Sequence, residues 1–523
     1  MRKSRNKDII CLIPEQKKGF FRLIFSRFGV FALLLLLEII VLFSLDQWFS
    51  EKNTLYMAAH MLFSVGMVLY LFNCEMDATG KLSWMILIML FPLPSTVFLW
   101  FSQHDVGHRK LKRTVTQLIA ETRSMLSQDE SVIKEHALVV SGTDDLCRYI
   151  NHSGCFPIYE NTDVSYYASG EEAFDALLEA LSSAERFIFL EFFIIDEGEM
   201  WGRVLKILAD KVAEGVEVRL LYDGMCEMST LTADYPERLA RLGIKAKPFS
   251  PIKPFLSTYY NYRDHRKVLV IDGKIAFTGG VNLADEYINL IERFGYWKDC
   301  GILLRGDAAA SFTLMFLQMW NIGEQNPDWG KYLQRFSVQG ASGYVMPYAD
   351  IPLDDDKVGE NVYMDILYRA RSYVHIMTPY LILDNEMETA LKYAAERGVD
   401  VKLILPGIPD KKIAYALAKT HYSGLTRAGV RIYEYTPGFM HSKVFVSDGE
   451  KAVVGTINLD YRSLYHHFEC AAYLYQTDCI TQIEHDFQES LKQCREVTEE
   501  TIRSEKIYYK VSGTLVKLIA PLL

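Results

Sequence analysis

A pattern of histidine, lysine and aspartate occurs twice in this chain of 523 residues. The first copy, His-Arg-Lys-Val-Leu-Val-Ile-Asp, begins at His265, and the second, His-Ser-Lys-Val-Phe-Val-Ser-Asp, begins at His441. With 12 histidines in the chain, chance would supply about 0.05 matches to this spacing, so the pattern indicates an internal duplication. A glycine and an asparagine follow each copy, and all matched positions share the offset from 265 to 441, which is 176 residues: His265 and His441, Lys267 and Lys443, Asp272 and Asp448, Gly279 and Gly455, Asn282 and Asn458.

The segments before each motif repeat the same order of predicted elements. Each copy has a buried strand, then a helix closed by a glycine, then a second strand. This alternation predicts a duplicated α/β sandwich with largely parallel strands. In the first copy the elements are 187–195, 201–214 and 216–222, and in the second they are 373–383, 386–397 and 399–405.

The spacing of the motif predicts a phosphate site. Residues two apart on a strand point to the same face, so each His shares a face with its Lys. If the two copies pack about a pseudo-twofold axis, two ammonium groups bind a phosphate and one imidazole attacks phosphorus. The other imidazole then protonates the leaving oxygen and later activates the acceptor, with no metal or cofactor required. The candidate residues are His265, Lys267, His441, Lys443, Asn282 and Asn458.

Three apolar runs of 18 to 20 residues lie in the first hundred positions, at 28–45, 55–72 and 82–101. About 20 helical residues cross a bilayer, so the runs predict transmembrane helices and a multi-pass location in the cell membrane. Lysine and arginine flank the group on both sides, which favours an even number of crossings and a cytoplasmic catalytic part. Two or three of the runs are therefore expected to span.

Composition narrows the function further. Sixty-six acidic residues oppose 56 basic ones, and the net charge of −10 argues against nucleic acid as a partner. The nine cysteines contain no CxxC pair, which argues against a disulfide scaffold and a cysteine-based zinc site. The predicted divisions are an anchor at 1–104, a linker at 105–160, repeats at 161–335 and 336–523, and an amphipathic tail within the second repeat.

The duplicated motif resembles the phospholipase D superfamily and, more closely, bacterial cardiolipin synthases. The segment Tyr296–Asp299 is similar to the Trp-Arg-Asp stretch of that family, and 378–380, 455–463 and 520–523 match it as well. One departure is His467-Phe-Glu, because the family commonly has Asn-Phe-Glu there.

The resemblance implies a phosphatidyltransferase that makes cardiolipin and glycerol from two phosphatidylglycerol molecules through a phosphohistidine. It implies that His265 becomes phosphorylated and that His441 is the general acid and base. Asp299 and Glu469, each downstream of a motif, would orient the imidazole of their own copy. The catalytic motif residues are His265, Lys267, Asp272, His441, Lys443 and Asp448, with Asn282 and Asn458 binding phosphate; the two motif aspartates are more often structural, pinning the following turn.

Other functions are compatible with the same residues. Water in place of the second lipid would make the protein a phospholipid hydrolase, and another lipid hydroxyl would make it a related synthase. The apolar runs and the net charge argue against a nuclease of the superfamily. The presence of two intact motifs argues against a non-enzymatic scaffold.

Overall fold

The computed structural model describes positions 40 and 44 and residues 9–13, most of 54–100, 106–251, 262–324, 327–354 and 356–517. Two sheets dominate the described residues, and short strands link them. The strands of the first half are β1 (Thr162–Tyr167), β2 (Phe187–Phe192), β3 (Glu217–Asp223), β4 (Lys245–Phe249), β5 (Arg263–Asp264), β6 (Lys267–Ile271), β7 (Ile275–Gly279), β8 (Tyr296–Lys298) and β9 (Gly301–Gly306). Those of the second half are β10 (Tyr344–Asp350), β11 (Tyr373–Met377), β12 (Asp400–Pro406), β13 (Arg431–Tyr435), β14 (Gly438–Met440), β15 (Val444–Ser447), β16 (Lys451–Gly455), β17 (His467–Tyr475) and β18 (Cys494–Glu496).

Helices connect the strands and pack on both faces of the sheets. In chain order they are α1 (Thr54–Asn73), α2 (Ala78–Leu90), α3 (Val106–Thr122), α4 (Glu130–Ile133), α5 (His136–Ser141), α6 (Thr143–Gly154), α7 (Gly170–Ser182), α8 (Glu199–Ala213), α9 (Cys226–Ser229), α10 (Tyr235–Ala240), α11 (Ala309–Trp320), α12 (Val358–Arg369), α13 (Asn385–Glu396), α14 (Lys412–Arg427), α15 (Tyr461–Tyr465), α16 (Cys479–Leu491), α17 (Glu499–Ser504) and α18 (Ile507–Lys517). A 3-10 helix covers Asp285–Ile288. The tail helix α18 packs on α14, where Gly513 lies against the Ala416 carbonyl.

The two sheets have the same strand order, which is the structural form of the duplication. The first runs β1-β9-β7-β6-β2-β3-β4, and the second runs β10-β17-β16-β15-β11-β12-β13 before adding β18 at its edge. In the first sheet only the β2–β3 and β3–β4 pairs are parallel, whereas the other four neighbouring pairs are antiparallel. The prediction of an α/β repeat is confirmed, but the prediction of largely parallel strands is wrong. The hairpin that carries each motif, β6–β7 or β15–β16, is joined by a tight turn and so must be antiparallel.

One hydrophobic core joins the two sheets. Alternation along β6 sends Val268 and Val270 toward the second repeat and Leu269 and Ile271 toward the outer helices. The inward set packs in one cluster with residues of β15, β16 and the wholly buried helix α11. Because this core is shared, the relative position of the repeats is set by apolar burial as well as by the site. The predicted domain division at 161–335 and 336–523 stays a prediction.

Two short strand pairings cross between the repeats. Strand β5, just before the first motif, pairs in parallel with the start of β17 in the second repeat. Strand β14, just before the second motif, pairs in parallel with β8 of the first repeat. Each motif is therefore fixed at its entry by backbone hydrogen bonds to the other copy.

The N-terminal helices differ from the sequence-based prediction. Within the part of the chain that the structure describes, no helix combines the length and the apolar character needed to cross a membrane. Helix α2, for example, has 13 residues, and about 20 are needed to cover the hydrocarbon core. The predictions of transmembrane helices and of a multi-pass membrane location are therefore wrong by this finding. The run at 28–45 lies outside the described residues except for positions 40 and 44.

Candidate active site

The two motif histidines lie at equivalent points, each directly after a cross-paired strand. The backbone N–H of His265 donates to the Phe468 carbonyl at 2.9 Å, and that of His441 donates to the Lys298 carbonyl at 2.7 Å. Both residues are 93% buried, since each has an exposed fraction of 7%. The pseudo-twofold arrangement thus places both imidazoles at the junction of the repeats.

Each imidazole contacts a carboxylate from the opposite repeat. Nδ1 of His265 lies 2.9 Å from Oε1 of Glu469, and Nδ1 of His441 lies 2.6 Å from Oδ2 of Asp299. The predicted orienting carboxylates are therefore at the histidines, but the expected pairing within each copy is wrong. The reason is the crossed strand pairing, which puts Asp299 directly after β8 beside His441 and Glu469 on β17 beside His265.

The pairing with carboxylates sets the orientation of both imidazoles. A carboxylate at Nδ1 favours the tautomer with the proton on that nitrogen and leaves Nε2 with a lone pair. Glu469 also accepts hydrogen bonds from the hydroxyl groups of Thr456 and Ser463. Three donors thus converge on this carboxylate and hold it in place beside His265.

The motif lysines are buried with the histidines. Nζ of Lys267 donates to the carbonyl of His265 at 2.6 Å, and Nζ of Lys443 donates to that of His441. Burial lowers the pKa of Lys267 to about 7 and that of Lys443 to about 8. Among the described residues, no carboxylate forms a salt bridge with either ammonium group. Because both groups are also poorly solvated, together they form a site for an anion.

Burial also shifts the titration of the acids and imidazoles. Burial, reinforced by the charge of Lys267, lowers the pKa of His265 well below its ordinary value. Burial and Lys443 lower the pKa of His441 to about 4. Burial alone would raise the pKa of Asp299, but His441 and Lys443 hold it below its ordinary value. Burial raises the pKa of Glu469 well above its ordinary value, against the opposing effect of Lys267. In the free protein both imidazoles are therefore neutral near pH 7.

The two asparagines that follow the motifs have different surroundings. Oδ1 of Asn282 accepts from the backbone N–H of Ile194 at 3.0 Å, and Nδ2 donates to the hydroxyl of Tyr287 at 2.8 Å. Oδ1 of Asn458 is buried and has no hydrogen-bond partner within the described residues. Asn282 is thus held by its own repeat, and Oδ1 of Asn458 can still accept a hydrogen bond from a donor group.

The motif aspartates do not reach the histidines. Asp272 accepts three backbone N–H groups, from Glu185, Arg186 and Phe187, at 2.8 to 2.9 Å. Asp448 accepts the equivalent three, from 371, 372 and 373, over the same range. The placement of these two residues among the catalytic motif residues has no support in these contacts. They tie the turn after the motif strand to the start of β2 or β11, rather than pinning the turn alone.

Replacing Asp272 with alanine is expected to destabilise the fold by about 3 kcal/mol, because three backbone donors lose an ionised acceptor. The residue also has φ of 56°, a left-handed conformation that alanine disfavours. Urea denaturation measures the loss, with Asp163→Ala on the exposed edge of β1 as the control. An unfolding free energy equal to that of the control would contradict this structural role.

Several residues contact the catalytic groups although the sequence assigned them no role in the site. The Phe193 ring lies 4.8 Å from that of His265, and the rings of Tyr287 and Trp297 lie 5.4 and 5.2 Å from that of His441. Thr456 and Ser463 hold Glu469, and both lie in the segment that resembles the family. The aromatic wall comes from elements far apart in the chain, so only the fold reveals it.

One group of side chains in the described residues has the composition of a metal site. Nitrogen and oxygen atoms of His265, His467 and Glu469 lie within 4.8 Å of one another. The nearby charges of Lys267 and Arg462 oppose a cation there. The electrostatics of the site therefore favour an anion.

The fold and the site together define a phospholipase D-like protein. A family model described as "Cardiolipin synthase, PLD-like domain" matches residues 177–295 and 363–491. Among solved structures, the phosphatidylserine synthase of Haemophilus influenzae Rd KW20 is 16% identical, with a TM-score of 0.55, and covers 73% of this chain and 98% of its own. At that identity the likeness concerns the fold alone.

Relatives at higher identity narrow the class. A cardiolipin synthase of Alkalihalophilus pseudofirmus is 32% identical over 485 residues, which is 92% of this chain and 95% of that protein. A protein of Streptococcus mutans described as uncharacterized is 57% identical over 460 residues, covering 88% of this chain and all of its own. A cardiolipin synthase of Geobacillus kaustophilus is 34% identical over 84% of this chain and 88% of its own. The chain belongs to the cardiolipin synthase family of phospholipase D-like enzymes.

Proposed function

We propose that the protein transfers a phosphatidyl group from one phosphatidylglycerol to a second, producing cardiolipin and glycerol. The observation that supports this most directly is the pair of crossed imidazole–carboxylate contacts, His265 with Glu469 and His441 with Asp299, around two buried lysines. Such a site can bind one phosphodiester and supply both a nucleophile and an acid.

In the first half-reaction, Nε2 of His265 attacks phosphorus of the bound phosphatidylglycerol. A P–N bond forms as the P–O bond to the headgroup glycerol breaks, and His441 gives its Nε2 proton to the departing oxygen. Binding of the phosphate anion raises the pKa of His441 and so supplies it in the protonated form. Lys267 and Lys443 balance the charge that develops on the equatorial oxygens.

In the second half-reaction, the acceptor hydroxyl replaces glycerol. His441, now neutral, takes the hydroxyl proton as the oxygen attacks phosphorus, and the P–N bond to His265 breaks. The first half-reaction exchanges a P–O bond for the P–N bond, and the second exchanges it back. Over both steps one phosphodiester replaces another, so no nucleotide is consumed. The side-chain NH2 groups of Asn458 and Asn282 are proposed to donate hydrogen bonds to oxygens of the phosphatidyl group.

The test is a product assay with the purified chain in detergent and phosphatidylglycerol as the sole lipid. Mass spectrometry should show cardiolipin and free glycerol, and Lys443→Ala should remove both. Phosphatidic acid with glycerol would identify the protein as a hydrolase instead. Turnover only after another lipid is added would assign it to a synthase with a different acceptor.

The pH dependence of kcat/KM follows from the lysines. Their pKa values are lowered to about 7 for Lys267 and about 8 for Lys443, and phosphate binding needs the charged form. That form is lost as pH rises through this range, so kcat/KM is expected to fall from about pH 7 upward. Arginine at position 443 stays charged. In the Lys443→Arg variant, kcat/KM should therefore fall less steeply with pH above about pH 8. A kcat/KM profile that is flat to pH 9 would contradict this assignment.

A further inference from the structure

Two side chains on neighbouring elements, His467 at the start of β17 and Arg462 on α15, have buried nitrogen atoms without a hydrogen-bond partner among the described residues. His467, the first residue of β17, is 91% buried, and its ring lies 5.3 Å from that of His265. Neither ring nitrogen has a hydrogen-bond partner among the described residues, and the nearest carboxylate oxygen, Oε1 of Glu469, is 3.7 Å from Nδ1. A buried imidazole in this state needs a ligand or a water to satisfy it.

Arg462 on α15 is the second such group. Its Nε is buried without a hydrogen-bond partner. Within the described part of the chain no carboxylate lies at ion-pair distance from its guanidinium, and the charges of Asp460 and Asp223 act on it only from farther away. Burial lowers the pKa of Arg462, and its charge in turn helps to lower the pKa of His467. A largely buried guanidinium without a contacting carboxylate can still bind an anion directly.

We propose that Arg462 and His467 form a second anion subsite, which binds the phosphodiester of the acceptor lipid. The inference rests on the proposed transfer reaction and identifies residues that select its acceptor. The guanidinium contributes positive charge and up to five donors, and the imidazole contributes one N–H. Together they match the oxygens of a phosphodiester.

The reacting phosphate does not require this subsite. In the proposed reaction it already has Lys267 and Lys443, whose ammonium groups contact the backbone carbonyls of the two catalytic histidines. The donor phosphatidylglycerol has a single phosphate, so a second anion at the site comes from the acceptor. Binding of that anion would favour an anionic lipid over water or a neutral alcohol as the group that attacks the phosphohistidine.

The experiment compares acceptors with and without a phosphate. The variants are Arg462→Gln and His467→Asn, which keep a polar side chain of similar reach, and the control is Arg495→Gln, whose exposed guanidinium pairs with Glu434. Each is assayed for cardiolipin formation and for exchange of labelled glycerol into phosphatidylglycerol. Exchange uses the same phosphohistidine but a neutral acceptor, so it reports the catalytic centre alone.

Cardiolipin formation by Arg462→Gln should fall about ten- to a hundred-fold, the effect of losing hydrogen bonds to a charged group, with glycerol exchange changed less than about three-fold. His467→Asn should shift the ratio of the two rates in the same direction, and Arg495→Gln should shift neither. A parallel fall in both reactions would place the residues at the reacting phosphate and overturn the proposal. An unchanged ratio in both variants would overturn it as well.

Water-soluble acceptors distinguish the contribution of the acceptor's phosphate from that of its acyl chains. With phosphatidylglycerol as donor, the wild-type protein should use glycerol 3-phosphate in preference to glycerol, and Arg462→Gln should lose that preference. Equal use of the two acceptors by the wild-type protein would contradict an acceptor phosphate subsite. Absence of cardiolipin from the wild-type assay would instead refute the proposed function, which keeps the two failures distinct.

Discussion

Replacing His265 with alanine is expected to abolish the covalent phosphatidyl-enzyme, whereas replacing His441 is expected to let it accumulate. The measurement uses a phosphatidyl donor labelled in its acyl chains and carrying nitrophenol in place of glycerol. Nitrophenolate leaves without a proton, so the first half-reaction no longer needs His441. The second half-reaction still needs His441 to deprotonate the acceptor, and its rate should fall about 10²- to 10⁴-fold, the usual contribution of general acid–base catalysis.

The two variants His265→Ala and His441→Ala are well matched structurally. Both imidazoles are equally buried, and each is held by a backbone hydrogen bond and a carboxylate from the opposite repeat. Loss of either should therefore perturb the fold to a similar extent, which thermal unfolding can verify. Label retained on the His265→Ala variant and absent from His441→Ala would reverse the assignment of nucleophile and acid.

Replacing the orienting carboxylates is expected to have the second largest effect, on the order of 10³-fold or more in kcat, because an amide favours the wrong tautomer of its histidine. The crossed contacts assign each change to one step. Asp299→Asn should impair His441, and Glu469→Gln should impair His265. With the nitrophenyl donor, the burst of nitrophenol should survive in Asp299→Asn and be lost in Glu469→Gln.

The opposite pattern would support carboxylate pairing within each copy, as the sequence spacing suggested. A burst that survives in both variants would mean that neither carboxylate acts through the nucleophile. Arg495→Gln again serves as a control for purification and lipid presentation. Because Glu469 is also held by Thr456 and Ser463, the unfolding temperature of Glu469→Gln must be measured alongside its kinetics.

Some expectations were correct because they depended on local pattern. The run Phe187–Ile195 contains β2, because a nearly continuous apolar run favours a buried strand. The run Val399–Leu405, in which apolar residues alternate with Asp and Lys before Leu403, covers all of β12 except Pro406. The duplicated motif predicted two equivalent repeats, and the two sheets have one strand order. Local pattern was a poorer guide in the N-terminal region, where apolar composition led to membrane spans that the described helices do not form.

The sequence by itself determined the duplication, the residue types of the phosphate site and the family. Two copies of one motif at a fixed offset of 176 residues can be recognised without knowing how the chain packs. Only the tertiary structure decided which carboxylate serves which histidine, that Asp272 and Asp448 bind backbone amides, and that Arg462 and His467 lack partners. The physical reason is that these contacts cross between the repeats or close loops over many residues. Spacing along the chain specifies which residues can share a face of a strand. Strand pairing between the repeats and their shared core determine which of those residues come into contact.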